Sequence, residues 1–254
     1  LRCLRAGDFR QTLVEATGGE PAIAQAPVVL AMTSTFWRNA WRYKARAYRH
    51  TYWDAGTSLS HVLATAAAVN LPTRLVLGYA DAPVNALLGV DGEREATVAL
   101  CAIGRDTAPA PAAPEVTPID YPTRPISPRE VVFPAIPAMH AASTLASGEE
   151  ATAWRADPLR RTPPEPQGKL IPLEPLAPDA LPDAPIEEII FRRRSTRHYD
   201  TEVEISFTAF STLLDRESRG FAADCLAPGA PSLHDNYLIV NGVEGLAPGI
   251  YLHH

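Results

Sequence analysis

Four arginines and a serine fall within six positions, in the run Arg192-Arg193-Arg194-Ser195-Thr196-Arg197. Guanidinium groups held this close together suit a phosphate dianion, because each can give charge-assisted hydrogen bonds, and hydroxyl and backbone donors complete the shell. The same run could instead be a cationic helix end that offsets the macrodipole. An arginine-for-lysine bias favours that plainer reading, since only Lys44 and Lys169 are lysines. Other chemistry is sparse. No metal motif, nucleophile triad or nucleotide-hydrolase phosphate loop is present. His198, His234 and His253 lack ligand-like spacing with acidic or cysteine partners and read as turn and surface residues.

The elements around the arginine run follow from periodicity. Ile186, Ile189 and Ile190 mark one face of a helix whose first turn carries Glu187 and Glu188, the charge an N-terminus favours. Phe207, Phe210 and Leu214 mark a second amphipathic helix behind Ser206, a cap. Tyr237 to Asn241 is a short strand, and residues 245–253 are a turn leading into another. Nearer the start, residues 26–34 form an apolar run of strand length. Leu59, Val62, Leu63, Ala66 and Val69 recur at helical spacing, with Thr57 or Ser58 as cap and Pro72 as stop. Residues 74–79 read as a strand ending at Gly78, 82–88 as a helix, 89–94 as a turn and 96–103 as a buried strand.

Between these blocks lie 18 of the 25 prolines, from Pro109 to Pro185. That density is too high for continuous helix or sheet, so the stretch reads as an extended connector, within which Val131-Val132-Phe133 could pack on a neighbour. The predicted organisation is therefore residues 1–105, a Pro-rich connector 106–185, and residues 186–254. The chain starts at Leu1 and stops at His254 after a strand-like segment, and both ends read as cuts.

Composition bounds the function. A formal net charge of −6 argues against nucleic-acid binding, which needs a basic surface. No apolar run approaches the roughly 20 residues that cross a bilayer. Cys3, Cys101 and Cys225 are few and widely spaced, which fits reduced thiols and a cytoplasmic setting better than a disulfide framework.

The stretch 186–199, IEEIIFRRRSTRHY, resembles the opening helix of nitroreductase-family proteins, where an apolar helix runs into Arg-Arg-Ser-x-Arg and an aromatic. Pro231-Ser232, Tyr237-Leu-Ile-Val and residues 244–251 (EGLAPGIY) continue the likeness in order, and are similar to SagB-type dehydrogenases of that superfamily. The first block resembles the other end of the same domain: Arg46-Ala-Tyr-Arg49, Asp54-Ala-Gly56, Arg74-Leu-Val-Leu-Gly-Tyr-Ala-Asp81, residues 84–89, Gly92, Glu95 and Gly104 stand in family order.

The resemblance implies an α+β, nitroreductase-like fold, a central mixed β-sheet flanked by helices, present as two partial domains: a C-terminal half (1–105) preceding an N-terminal half (186–254). It implies FMN as cofactor. Arg193, Arg194, Ser195 and Arg197 would hold its phosphate and ribityl end, Leu77 and Gly78 would lie beside the flavin ring with backbone groups on its polar edge, and Pro231 and Ser232 would belong to a loop near the cofactor. Small residues usually follow that Pro-Ser pair; here Leu233-His234-Asp235 do. The Lys-Tyr pair of azoline-oxidising members reads Arg42-Tyr43. Arginine stays protonated and cannot act as a base, which leaves Tyr43 as the group able to pass a proton.

The inverted order of the halves fits a parent with two tandem domains, acting as a dimer or fused pseudo-dimer; a circularly permuted single domain is the alternative. The expected activity is hydride transfer through flavin N5, to or from a heterocycle of a modified peptide or a small electron-poor molecule. Two other readings stay open: a flavin-free scaffold in a biosynthetic complex, and a generic nitro or quinone reductase.

Overall fold

The structure is a computed structural model, which describes residues 1–106, 108–119, 124–158, 162, 165–227, 230 and 233–254. The chain forms two compact units, one of residues 1–158 with 223–225, the other of residues 159–222 with 226–254.

In the first unit, three antiparallel strands lie in the order β1-β3-β2, where β1 is Val28–Thr35, β2 Thr73–Val76 and β3 Glu95–Ile103. Every residue of β3 from Ala96 to Ala102 is buried, as a central strand covered on both faces requires. The register between β1 and β3 shifts between Met32 and Thr33, leaving Val98 as an extra residue on β3. Such a bulge bends its strand and re-aims side chains. The sheet was expected to be mixed. Its named strands are all antiparallel, and parallel pairing in this unit is confined, among the described residues, to the bridges Leu75 with Ala223 and Ala80 with Leu145.

Helices α1 (Arg10–Ala16), α2 (Pro21–Gln25) and α5 (Asp81–Leu88) pack on this sheet around Ile23, Val76, Val84 and Leu100, all 0% exposed. Asn85 of α5 is buried, and its side-chain oxygen accepts from the N–H and hydroxyl of Thr97, 2.9 Å each, which ties the helix to β3. Helix α3 (Trp37–Tyr43) leads into the 22-residue α4 (Ala47–Ala68). The sequence placed the start of that helix at Thr57 or Ser58. Both lie inside it, their hydroxyls turned back on the carbonyls of Trp53 and Asp54. Hydroxyls that bond the i−4 carbonyl are tolerated within a helix, and this removes the need for a cap there.

The Pro-rich stretch is not uniformly extended. It builds α6 (Ala135–Ala141) and α7 (Gly148–Ala156), both within the first unit. Ser147 caps α7 by accepting from Glu150 N–H, while the Glu150 carboxylate reaches back to accept from the N–H of Ala146, one residue before the cap, a variant of the capping box. Phe133, from the apolar triplet noted above, packs beside Ile136 on Phe36 and Ala96; Val132 stays 75% exposed.

The second unit holds α8 (Ile186–Arg192), α9 (Phe207–Ser218) and a two-stranded antiparallel sheet of β4 (Asn236–Val240) and β5 (Gly249–His253). Ser206 caps α9 as expected, accepting from Ala209 N–H at 3.2 Å.

Candidate functional site

The first unit contains a cavity of about 930 Å³, within the size range of small-molecule sites. Helix geometry sets one wall: Tyr48 and Tyr52 are four residues apart on α4 and share a face, with Arg46 and Arg49 alongside. Leu77 and Tyr79 come from the turn between β2 and α5, Asp81 is the first residue of α5, and Thr97 and the bulged Val98 come from β3. Met139, His140, Ser143 and Leu145 close the other side from α6 and the loop after it.

The polar groups of this wall are linked. The Tyr48 and Tyr52 hydroxyls are 2.7 Å apart, and the Tyr48 hydroxyl lies 3.3 Å from His140 Nδ1. His140 is buried against the edge of Phe36, and burial pushes its pKa below the ordinary value, opposed by the nearby Asp81 charge. Burial pushes the Asp81 carboxyl above its ordinary range, although it accepts from Leu145 N–H at 2.8 Å. Burial likewise raises the phenols of Tyr52 and Tyr79, so both hydroxyls keep their protons. The cavity thus presents protonated phenols and a neutral-leaning imidazole beside two guanidinium groups. Neither Arg46 nor Arg49 has a carboxylate within 4 Å among the described residues.

Behind Leu77 lies a second arrangement. The N–H groups of Leu77 and Gly78 donate to the two oxygens of the Asp224 carboxylate, at 2.8 and 2.9 Å. Asp224 N–H in turn donates to the Leu75 carbonyl at 3.0 Å, so residues 223–225 extend along the outer side of β2. The Asp224 side chain is 0% exposed and Arg155 of α7 is 12% exposed. The Arg155 guanidinium reaches Glu20 at 3.4 Å and Asp224 at 3.9 Å, and donates to the carbonyls of Gly78 and Thr17. Arg74 pairs with Glu20 at 3.4 Å. Arg155 thus balances two carboxylates that are at most 9% exposed, as buried charges require, while Arg74, 37% exposed, adds a second cation from the edge of the group.

The residues singled out in the sequence divide between the units. Leu77 borders the cavity and Gly78 lies buried behind it. Tyr43 does not line the cavity. Its ring stacks on His50 at 4.0 Å and lies under the guanidinium groups of Arg46 and Arg42, 5.3 and 5.7 Å from its centre. In the second unit Arg193, Arg194, Ser195 and Arg197 are exposed at the C-terminal end of α8. Arg194 donates to the carbonyls of Phe191 and Arg193, a helix-end role. Pro231 and Ser232 lie outside the described residues. Sequence reasoning missed the Tyr48–His140 contact and the Arg155–Asp224 pair. Their partners are 92 residues apart in one case and 69 in the other. The only local signal within reach was the Ser147-Gly-Glu-Glu150 capping box announcing α7.

Residues 3–105 match the family model described as the nitroreductase family. No curated protein matches the chain. Among solved structures, a protein from Anabaena variabilis assigned as a nitroreductase is similar, with 23% identity and a TM-score of 0.64. The likeness covers 98% of this chain and 51% of that one, so the chain spans about half the length of the protein it resembles. At this identity the likeness speaks for architecture, and the fold is nitroreductase-like, α+β.

The fold family implies a flavin, and the amide pair at Leu77 and Gly78 tests its fit. Both donors are satisfied by Asp224. A Cβ built on Gly78 would lie 2.8 Å from the Trp154 ring and 3.2 Å from the Asp224 carboxylate, so the chain's own atoms fill the space there. As arranged, the pair does not fit a flavin edge. No helix among the described residues is long and apolar enough to cross a membrane, and no group of three potential metal ligands is found among them.

Proposed function

We propose that the chain is part of an FMN-dependent oxidoreductase related to the SagB-type dehydrogenases, acting on a small electron-poor molecule or on an azoline of a modified peptide. The observation that carries this is the cavity beside Leu77, lined largely by the segment that matches the nitroreductase family and presenting protonated phenols, an imidazole and two guanidinium groups that have no carboxylate within 4 Å among the described residues. The chain's own contribution is to exclude water, to hold an anionic or electron-rich group near Arg46 and Arg49, and to pass a proton along Tyr52, Tyr48 and His140. Tyr43 orients this wall through its contacts with Arg46 and His50. Arg193, Arg194, Ser195 and Arg197 are proposed for phosphate binding, supported by their exposure and chemistry.

We further propose two partial nitroreductase-like domains in tandem, residues 1–105 and 186–254 about a connector, working as a pseudo-dimer. Support comes from a fold likeness that runs over 98% of this chain within a chain about twice as long. A second reading, a flavin-free scaffold, is favoured by one observation: Asp224 already satisfies the amides a flavin edge would use.

Visible absorption of the purified protein after incubation with FMN decides between them. A flavin band between about 350 and 500 nm that survives gel filtration, and weakens in Arg193→Ala/Arg197→Ala, is expected for the oxidoreductase. A protein that elutes colourless leaves the scaffold.

A further inference from the structure

Between Glu20 and Asp54 the chain carries no acidic residue, yet Arg38, Arg42, Lys44, Arg46 and Arg49 all fall there. All five are exposed, and none has a carboxylate within 4 Å among the described residues. Asp54 itself accepts from the Asn39 side chain at 2.8 Å. Aromatic rings join the cations into a strip. The guanidinium groups of Arg42 and Arg46 lie over the same Tyr43 ring, which stacks on His50, and His50 meets Trp53 edge-on at 4.7 Å. Trp53 is 55% exposed and Trp41 63%. Arg42 closes the last turn of α3, where a cation offsets the dipole. Arg46 and Arg49 have no such local reason. They stand at the N-cap and in the first turn of α4, where the dipole opposes a positive charge and no acidic residue answers it. Cations placed against local stability point to a surface kept for a ligand.

We propose that this strip docks an acidic peptide segment and holds the residues next to it at the mouth of the cavity. The proposal rests on the reading of that cavity as a substrate site, and of the substrates named above it selects the peptide. Arg46 and Arg49 belong to the strip and also line the cavity, so the two are continuous. Alternate side chains of an extended peptide stand on one side about 7 Å apart. Carboxylates at that spacing can each take a guanidinium, bidentately where the geometry allows. The exposed indoles beside them cover apolar parts of the peptide. A nucleic acid also pairs with arginines and stacks on aromatics, but the chain's net charge of −6 opposes a long polyanion. A short segment with a few carboxylates senses mainly the strip, because salt screens charges beyond about 10 Å.

The test is binding of a fluorescein-labelled peptide of alternating glutamate and glycine to the 254-residue chain without flavin, followed by fluorescence anisotropy. The unmodified protein should bind it, and more weakly as salt rises from about 50 to about 300 mM. Arg46→Ala/Arg49→Ala should bind at least about fivefold more weakly, and Arg42→Ala should fall between. Arg105→Ala, past the end of β3 that lies away from α3, should match the unmodified protein. Arg46→Glu/Arg49→Glu should lose the glutamate peptide and take up the corresponding lysine peptide. Absence of binding, equal affinity in the unmodified protein and these double variants, or tighter binding of a labelled oligothymidylate of the same length overturns the proposal. A protein that binds the peptide but shows no flavin band keeps the dock and loses the oxidoreductase reading. A flavin-binding protein that ignores the peptide loses only the dock.

Discussion

The two units differ in where their apolar residues lie. In the first, Ile23, Val76, Val84 and Leu100 are sealed around a central strand. In the second, only Leu214, Leu226, Val240 and Val243 are buried apolar residues among those described, while Phe191, Tyr199, Ile239 and Ile250 are each at least 77% exposed. The arginine-rich run, the plainest motif in the sequence, sits in the lightly packed unit. The Arg155–Glu20–Asp224 network has no sequence signature and sits in the densely packed one. Motifs announce chemistry that local spacing can arrange; a buried ion network needs a core to hold it, and its members come from wherever the chain happens to cross.

If packing density separates the units, the largest effect of a truncation belongs at Leu100. Leu100→Ala should cost about 2–5 kcal/mol in urea unfolding followed by circular dichroism, whereas Ile250→Ala should change stability by less than about 0.5 kcal/mol. A comparable loss at both positions would show that the second unit's exposed face is covered in solution. Next in size is the α9 cap. Ser206→Ala should lower stability by about 1 kcal/mol, and Ser206→Asp should restore most of it, since both serine and aspartate accept from the third helical N–H.

The smallest effect is a pH dependence confined to the first unit. Burial holds the folded pKa of His140 below 6.5, so the unfolded chain takes up a proton first as pH falls. The stability His140 contributes is complete above about pH 6.5 and erodes below it, toward the folded pKa. Asp81 acts in the opposite sense. Its raised pKa favours the protonated form in the fold, so its contribution grows as pH falls through that value. His140→Gln should therefore flatten the acid limb of a stability–pH curve without altering the curve above about pH 7.

Much of the fold was legible. Residues 82–88 and 96–103 and the helix behind Ser206 lie within a residue or two of α5, β3 and α9, because burial period and turn chemistry agree there. The helix starting at Ala47 was hidden by Gly56, Thr57 and Ser58, a polar run that reads as a boundary until its hydroxyls find carbonyls one turn back. Helices α6 and α7 were hidden by the prolines around them. Pro134 stands at the N-terminal cap of α6, a position that costs no helix hydrogen bond. Of the site, Leu77 and Gly78 were reachable through resemblance. Tyr48, His140, Arg155 and Asp224 were not, since each acquires meaning only from a partner distant in sequence.

The strand β2 is four residues long and lies at one side of its sheet. An edge of this kind, with unsatisfied backbone groups facing outward, invites pairing with a strand from another molecule. Residues 223–225 cover part of this edge: the Asp224 N–H donates to the Leu75 carbonyl, and its carboxylate accepts from the N–H groups of Leu77 and Gly78 just past the strand. A carboxylate used in this way closes the end of a strand's outer side without adding a strand to the sheet, leaving fewer open groups for another molecule's strand to pair with.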